Sequence, residues 1–313
     1  MKTILLLITV IFLVLTIRHL MLKFFMNIVI GRKTFNFRQF DKEKYHQLAP
    51  ADDFSDDWIT KQELTTLRIN SSRDGVNLSG HFLLAEEPVR TIILFHGWRS
   101  EFKCDFAEMA ENLNRNGCNL LFVEQRAHGN SGGKYIGFGA LERYDCIDWL
   151  KYLTDTNHNL PIYLAGLSMG ASTVLMAAEF DLPETVKGII ADCGFTSPYE
   201  IVIKVANLYH LKTRTVNHID RMCYKKTGFN LNNLSTLRAM DNCRVPILFI
   251  HGTADNLIPF EMTVKNYHAC RSKKKLLLIE GAEHCKSFSH DKKKYYETMC
   301  SFFGWNPILQ NDG

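Results

Sequence analysis

From about residue 65 onward, short runs of apolar residues alternate with windows in which apolar residues recur every three or four positions. The short runs are typical of parallel strands buried on both faces, and the wider spacing is typical of amphipathic helices. The predicted strands are 66–70, 78–85, 91–95, 119–123, 162–165, 188–191, 247–250 and 276–279, and the predicted helices are 105–115, 141–153, 169–178 and 261–269. This alternation predicts an α/β fold in which helices cover both faces of a mostly parallel sheet.

One long stretch departs from this alternation. Residues 197–242 contain no convincing strand and only helix-like pieces such as 201–209. The stretch is too long for a plain connection between neighbouring elements. It therefore predicts an inserted helical cap within a folded domain that covers residues 65–313.

The N-terminus is apolar over residues 3–17 and again over residues 24–30. Between the two patches lie three basic side chains, Arg18, His19 and Lys23. A membrane span needs about 20 apolar residues, and no small-residue cleavage site follows the first patch. We therefore predict an uncleaved membrane helix (an anchor or signal anchor) over residues 1–30 and a linker over residues 31–64. A buried soluble helix is the alternative, although soluble helices are rarely apolar on all sides.

Basic residues are distributed unequally around this helix. The far side carries Arg18, Lys23, Arg32, Lys33 and Arg38, whereas the near side carries Lys2. By the positive-inside tendency, this asymmetry predicts that the folded domain lies in the cytoplasm. A domain outside the cytoplasm, behind a signal anchor, is the alternative.

Composition excludes some partners. The formal net charge of +4 is small, and the lysine runs 273–275 and 292–294 are typical of the solvated edges of strands and helices, so we expect no nucleic-acid partner. The nine cysteines form no CxxC pair, which argues against a disulfide framework or a zinc site. Reduced thiols fit a reducing compartment, in agreement with the predicted cytoplasmic side.

A serine with the signature of a strained turn follows the predicted strand 162–165. The pentapeptide 166–170 reads Gly-Leu-Ser-Met-Gly and leads into a helix rich in small residues. In such a turn the glycines leave room for the neighbouring strand and helix, and the serine is held above the sheet edge at a helix N-terminus. The pattern alone is weak, but its position between a strand and a helix makes Ser168 the candidate nucleophile.

A serine hydroxyl is a poor nucleophile unless a base removes its proton. The acid and the base are expected later in the chain, in the order Asp then His, each just beyond a strand. Asp255 lies in the loop after the strand 247–250, and His284 lies in the loop after the strand 276–279. Because such loops gather at the carboxyl edge of a parallel sheet, we expect His284 to act as the base and Asp255 to orient it.

Other residues compete less well for these two roles. His251 lies at a strand end, where packing or turn hydrogen bonds explain it, and His128 lies in an earlier loop. Asp192 follows the wrong strand, and Asp241 precedes its strand. We therefore assign neither role to these residues.

Acyl transfer also needs preorganised donors for an oxyanion. The backbone N–H of Met169, the residue after the nucleophile, is one candidate. The other comes from the loop after the strand 91–95, where we choose the backbone N–H of Trp98. The ring of Trp98 is then a candidate wall of the acyl pocket, or an ordinary packing aromatic.

These motifs resemble those of bacterial serine enzymes of the α/β-hydrolase superfamily, in the acyl-esterase and prolyl-oligopeptidase-like branch that includes membrane-anchored members. The matching segments are 96–98 (HGW), 125–133 (QRAHGNSGG), the turn at Ser168, 250–255 (IHGTAD) and 281–284 (GAEH). They span most of the chain from about residue 65, and they are specific for fold and triad but hardly for substrate. One departure is Glu124, where the family usually has Asp; we expect a structural carboxylate that pairs near Arg126.

The resemblance implies an α/β-hydrolase that cleaves a carboxylic ester, thioester or amide through an acyl-enzyme on Ser168, without cofactor or metal. Carboxylesterase or lipase-like activity is preferred. A serine peptidase, an acyltransferase and a non-catalytic membrane-associated binding protein are the alternatives. The expected partners are the membrane and a small or lipid-like acyl substrate selected by the cap. Candidate lining residues, or members of a cap core, are Phe195, Tyr199, Ile201 and Tyr209.

Overall fold

The computed structural model describes residues 2–32, 58–156, 160–208 and 212–306. Its strands are β1 (Thr65–Asn70), β2 (Asn77–Leu83), β3 (Arg90–Phe95), β4 (Cys118–Glu124), β5 (Ile162–Leu167), β6 (Val186–Asp192), β7 (Ile247–Gly252) and β8 (Lys274–Ile279). Its helices are α1 (Lys2–Ile30), α2 (Phe102–Arg115), α3 (Glu142–Thr156), α4 (Met169–Ala177), α5 (Pro198–Leu208), α6 (Thr213–Thr227), α7 (Thr236–Asn242), α8 (Phe260–Ala269), α9 (Ser287–His290) and α10 (Lys292–Phe303). The strands and sheet-covering helices predicted from the apolar pattern are present, with ends that differ by a few residues.

The strands form an 8-stranded sheet in the order β1-β2-β4-β3-β5-β6-β7-β8. Strand β2 runs antiparallel to β1 and β4, and the other pairings are parallel. The loops that follow β3, β5, β7 and β8 therefore lie together at the carboxyl edge of the sheet. The mostly parallel α/β fold predicted from the sequence is confirmed.

Side chains that alternate along the central strand β3 divide the interior into two apolar layers. Ile92 and Leu94 belong to a cluster that contains residues of α2 and α10. Ile93 and Phe95 belong to a second cluster that contains residues of α3 and α4. All four are buried, which explains why the strand is a continuous apolar run.

The segment predicted as a cap comprises α5, α6, a 3-10 turn at Leu231–Asn233 and α7 in its described part. Ile201 and Ile219 pack with Phe195 in a third apolar cluster. Ala239 of α7 packs instead in the cluster of α3 and α4, so this last helix lies on the sheet. Tyr209 lies outside the described residues, and the predicted domain limits stay a prediction.

Helix α1 has two parts with different surroundings. No residue before Leu22 is buried, and most of the large exposed apolar side chains of the described chain lie in this first part. Leu22, Met26 and Ile30 form one face of the helix and are buried in the third cluster, where α1 packs against α6. Among the described helices, α1 alone is long and apolar enough to cross a membrane by length and composition.

The predicted linker, residues 31–64, lies largely outside the described residues. Its two flanks are fixed on the rest of the protein. Gly31 forms a β-bridge with Tyr135, and Ile59 is buried in the first apolar cluster. The chain that follows α1 therefore begins and ends on the folded domain.

Candidate active site

Ser168 lies at the sharp turn between β5 and α4. Its backbone has φ 55° and ψ −115°, and a positive φ is uncommon for a residue that carries a side chain. Gly170 is needed beside it, because a Cβ at this position would lie 1.8 Å from the backbone oxygen of Phe95. The chain thus forms the strained turn that the G-x-S-x-G spacing predicts.

Three residues predicted from separate loops come together at the carboxyl edge of the sheet. His284 Nε2 lies 3.0 Å from Ser168 Oγ, and His284 Nδ1 lies 2.6 Å from Asp255 Oδ2. Ser168 and Asp255 are buried, and the side chain of His284 is 13% exposed. Because a carboxylate only accepts, Nδ1 carries the proton, and Nε2 is free to accept from the serine hydroxyl.

Asp255 is held by backbone and side-chain N–H donors. Its Oδ1 accepts from the backbone N–H groups of Leu257 and Ile258, at 2.9 and 2.8 Å. Its Oδ2 accepts from His284 and from His251 Nε2. Burial on its own raises the pKa of Asp255, but the two histidines outweigh burial and hold this pKa well below its usual range. Asp255 is therefore a carboxylate near neutral pH.

His251 contacts the acid, although the sequence analysis explained this residue by packing at a strand end. Its Nε2 faces Asp255 Oδ2 and the backbone oxygen of Ile258, both at 3.0 Å, so Nε2 carries the proton. Its Nδ1 accepts from Thr263 Oγ1 at 2.7 Å. The signal in the sequence for this contact was position, because His251 lies near the end of the strand that Asp255 follows.

The environment of His284 favours its protonated form. Burial lowers the pKa of His284, but Cys193 and the Asp255 carboxylate beside the ring together outweigh burial and raise this pKa above the ordinary value of 6.5. Burial raises the pKa of the Cys193 thiol, so it is uncharged near neutral pH. In this pH range the carboxylate is therefore the group that increases the basicity of His284.

The loop after β3 is fixed on both sides of Trp98. Gly97 N–H donates to Asp105 Oδ2 at 2.6 Å, and Arg99 N–H donates to His128 Nε2 at 3.0 Å. Burial, assisted by a neighbouring histidine, lowers the pKa of His128 to about 3, so its ring is neutral and accepts. These bonds hold the backbone of Trp98 in one orientation.

Two backbone donors remain beside the serine. The Trp98 N–H has no acceptor among the described residues. The Met169 N–H opens α4, where a helix offers no intrahelical acceptor. The loop lies close to the serine, since a Cβ on Gly97 would lie 3.4 Å from Ser168 Cβ. Both predicted oxyanion donors are therefore available for another acceptor.

The two acids considered as alternatives to Asp255 have other partners. Asp192 accepts from Ser287 Oγ at 2.8 Å, and burial raises the pKa of Asp192 to about 6. Asp241 forms an ion pair with Arg271 at the surface. Their contacts account for both residues without a role at Ser168.

Glu124 does not pair with Arg126, contrary to the expectation from the sequence. Its carboxylate lies 3.2 Å from His81 Nε2 and accepts from the backbone N–H of Asn130 at 2.7 Å. Arg126 is buried and pairs with Asp145 of α3 at 2.6 Å. The chain turns directly after β4, so the two side chains enter different layers of the protein.

A cavity of about 400 Å³ opens at Ser168 and His284. Its walls include the side chains of Trp98, Arg99, Glu101, Ala127, Ile136 and Leu257. No described residue of the predicted cap lines this cavity, and the candidates Phe195 and Ile201 are buried in the third apolar cluster. The loops after β3, β4 and β7 shape the described part of the pocket, which differs from the expectation that the cap would.

The end of α1 is tied to the same pocket wall. The Arg99 guanidinium donates to the backbone oxygens of Ile28 and Gly31, at 2.6 and 2.9 Å. Trp98 Nε1 donates to the backbone oxygen of Val29 at 3.0 Å. Carbonyls at a helix C-terminus lack intrahelical partners, and a cation there is favoured by the helix dipole. The loop that carries a candidate oxyanion donor is thereby joined to α1.

Two cysteines lie beside the base. Cys193 Sγ and Cys285 Sγ are 3.5 Å apart, and together with His284 they offer three potential metal ligands within 4.8 Å of one another. The sequence analysis missed this cluster, because the two cysteines are far apart in the chain. A metal bound there would compete with Ser168 for the imidazole, so this cluster does not fit acyl transfer, and a reaction without metal stays a prediction.

The fold resembles that of several solved structures. The esterase Pf2001 of Pyrococcus furiosus superposes with a TM-score of 0.61 at 22% identity, over 77% of this chain and 92% of that chain. A family profile described as serine aminopeptidase, S33, matches residues 86–224. The chain has the α/β-hydrolase fold. Another similar structure is the acylaminoacyl peptidase of Pyrococcus horikoshii, with a TM-score of 0.57 at 17% identity over 82% of this chain and 44% of that chain.

Two bacterial proteins are similar to this chain in sequence. The uncharacterized protein YqkD of Bacillus subtilis (strain 168) is 29% identical over 231 residues, which cover 73% of this chain and 75% of YqkD. The uncharacterized protein YfhR of Escherichia coli (strain K12) is 25% identical over 239 residues, which cover 74% of this chain and 78% of YfhR. The family and fold matches support an α/β-hydrolase enzyme of the serine-hydrolase type.

Proposed function

We propose that this α/β-hydrolase cleaves a carboxylic ester through an acyl-enzyme on Ser168. The observation that carries the proposal is the hydrogen-bonded chain from Asp255 through His284 to Ser168, with distances of 2.6 and 3.0 Å. Asp255 fixes the tautomer of His284 in which Nε2 takes up the serine proton. This chemistry requires neither a cofactor nor a metal, because the base and the nucleophile are both side chains.

The proposed reaction has two steps. Ser168 Oγ attacks the ester carbonyl while His284 accepts its proton, and the N–H groups of Trp98 and Met169 stabilise the negative charge on the carbonyl oxygen. His284 then donates the proton to the departing alcohol as the tetrahedral intermediate collapses to the acyl-enzyme. A water molecule, deprotonated by His284, attacks the acyl carbonyl and releases the acid and the free serine.

The cavity favours a compact ester. Its volume of about 400 Å³ lies towards the lower end of small-molecule sites, which span about 300 to 1,000 Å³. The walls combine charged side chains, Arg99 and Glu101, with the apolar side chains of Ile136 and Leu257. These features support a short acyl group with a polar part over a long-chain lipid.

A serine aminopeptidase is the second candidate. The description of the matching family profile favours it, and the carboxylate of Glu101 in the cavity wall is a group to which a peptide amino terminus would pair. Turnover of amino-acid 4-nitroanilides, compared with 4-nitrophenyl acetate, butyrate and octanoate, separates the two activities. Faster anilide turnover would replace the ester assignment.

Substitution of Ser168 by Ala tests the nucleophile. The variant is expected to lose essentially all ester turnover and all labelling by a fluorophosphonate, because the attacking oxygen is gone. Ser301→Ala, at an exposed position on α10, is the matched control and is expected to label like the wild type. A wild-type protein that does not react with the fluorophosphonate would contradict the proposal.

We also propose that the first part of α1 crosses the membrane and that the catalytic domain lies on its cytoplasmic side. At 1.5 Å per residue, residues 2–21 extend about 30 Å, which matches the hydrocarbon thickness of a bilayer. The basic residues after this part support the cytoplasmic side. Protease added outside intact cells is expected to leave the domain uncut, and digestion of the domain would reverse the orientation.

A further inference from the structure

A second cleft lies between α1 and α6, away from the catalytic cavity. Its volume is about 460 Å³. Most of its lining is basic or ionisable, with the side chains of His19, Lys23, His218, Arg221, Lys225 and Lys226. None of these residues lines the cavity at Ser168. The cleft is therefore a separate concentration of positive charge.

The described residues provide little negative charge to balance this cleft. None of the ion pairs formed among the described residues involves a residue of the cleft. Asp220 is the acidic residue of α6, and its Oδ1 is buried and accepts from the backbone N–H of Leu231 at 2.7 Å. Burial together with Arg221 and Arg18 lowers the pKa of His218. The positive field at the cleft thus remains available to an external anion.

The position of the cleft along α1 indicates where that anion would come from. Leu22 is the first buried residue of the helix, and the cleft residues His19 and Lys23 lie on either side of it. Residues 2–21 match the hydrocarbon thickness, so His19 lies in the last turn of this segment and the other cleft residues lie beyond it, at the level of lipid phosphates. Tyr224 of α6 is 55% exposed, and an exposed tyrosine is typical of the membrane interface.

We propose that this cleft binds the phosphate headgroup of an anionic phospholipid in the leaflet that faces the catalytic domain. The proposal rests on the membrane insertion of α1 proposed above. Lysine and arginine side chains donate charge-assisted hydrogen bonds to phosphate oxygens. Met26 and Met222 provide apolar lining beside the cations, which suits the glycerol and the first acyl carbons. A zwitterionic headgroup fits less well, because its ammonium group would meet like charges.

A bound headgroup would also join α1 to α6. The cleft cations of the two helices repel one another when no anion is present, and a phosphate between them removes that repulsion. Anionic lipid is therefore expected to stabilise the full chain against thermal unfolding by mass action, more than zwitterionic lipid does. This gives the proposal a readout that does not depend on ester turnover.

The test uses the full-length chain in bilayer nanodiscs of phosphatidylcholine, alone or mixed with phosphatidylglycerol. Lipids that stay bound after mild detergent extraction are identified by native mass spectrometry, and the melting temperature is measured in both bilayers. The wild type is expected to retain phosphatidylglycerol several-fold over phosphatidylcholine and to melt at a higher temperature in the mixed bilayer. The triple variant Arg221→Gln, Lys225→Gln and Lys226→Gln is expected to lose both effects.

A matched control removes the same charge elsewhere. Lys292, Lys293 and Lys294 lie exposed on α10, and their replacement by Gln is expected to leave both effects intact. Lys225→Arg with Lys226→Arg keeps the charge and is expected to behave like the wild type. Retention of the lipid preference by the triple variant, or its loss in the lysine control, would overturn the proposal.

The outcomes separate this proposal from those on which it rests. Fluorophosphonate labelling of Ser168 is expected to be equal in all these variants, so a loss of labelling would concern the active site. A chain that does not enter bilayers contradicts the anchor and, with it, the headgroup site. A chain that enters bilayers but shows no lipid preference contradicts the headgroup site alone.

Discussion

At the residue scale, Asp255 shows how a buried carboxylate is kept both charged and fixed. The backbone N–H groups of Leu257 and Ile258 bind Oδ1, so the carboxylate cannot rotate away from the imidazole. The remaining oxygen is shared by His284 and His251. Each bond to the ionised form offsets part of the desolvation cost of burying the charge. The basicity of His284, the proposed base, thus depends on His251, a donor that does not contact the substrate.

The pH profile of ester turnover tests the charge on Asp255. His284 must be neutral to accept the serine proton, and its pKa is raised, so kcat/KM is expected to rise with pH through a midpoint above 6.5. Asp255→Asn removes the charge that raises this pKa, so the midpoint is expected to move to lower pH. Turnover is expected to fall on the order of 10,000-fold, as when the same residue type is changed in other serine enzymes. A midpoint that stays in place would contradict this role of Asp255.

Replacement of His251 tests the second donor. In His251→Leu the Asp255 charge is no longer shared with a second imidazole, so the midpoint for His284 is expected to move to higher pH. Turnover above the midpoint is expected to fall about tenfold, in line with the loss of one hydrogen bond to a charged group. His251→Gln, which keeps an N–H donor, is expected to recover part of the loss. His268→Leu, at an exposed position on α8, is the control, and a His251→Leu profile identical to it would refute the positioning role.

The sequence alone could predict Ser168, Asp255 and His284, because each follows a strand and all parallel strands end at one edge. It could not predict the contact between His251 and Asp255, since a histidine at a strand end equally fits a packing role. It also missed the pair Cys193 and Cys285, which only the fold brings together. Strand-end position can be predicted from apolar patterning, whereas side-chain partners depend on the turn that follows.

At the element scale, apolar runs could be predicted reliably because the central strands are buried on both faces. The division of α1 into an exposed apolar part and a part that packs on the folded domain could not be predicted in the same way. Its apolar surface is continuous, and the change from exposed to buried positions at Leu22 depends on α6 packing against it. Its link to the pocket wall uses the backbone oxygens of Ile28 and Val29, and backbone groups leave no mark in the sequence.

Two truncations test the role of α1 at the pocket. Removal of residues 2–20 is expected to release the protein from membranes and to keep ester turnover within a few-fold, because the buried face from Leu22 onward remains. Removal of residues 2–32 is expected to lower turnover by more than tenfold, since Arg99 and Trp98 then lose acceptors that cost free energy to leave unpaired. Membrane pelleting and 4-nitrophenyl ester assays on both proteins provide the measurements. Equal turnover of the two would show that α1 is only an anchor.

At the scale of the whole molecule, the α/β-hydrolase sheet fixes the chemistry and the attached elements fix its surroundings. The mostly parallel sheet and its strand ends were predictable, because they follow from runs of buried apolar residues. The composition of the pocket was not, because its described walls are loops and not the cap. A conserved architecture can therefore carry one set of reacting groups while the substrate is selected by segments with no periodic pattern.

The attachment of α1 to the loop at Arg99 has a consequence for substrate size. Only about eight residues separate Met21, the last residue of the segment proposed to lie in the hydrocarbon, from the carbonyls that Arg99 and Trp98 bind, which is a rise of about 12 Å. If α1 is inserted as we propose, the mouth of the pocket is held at a short, fixed distance from the bilayer. Small dissolved esters and esters carried in the headgroup layer fit within that distance. A folded protein, tens of ångströms across, would not fit, so the proposed insertion would exclude such substrates before any contact with Ser168.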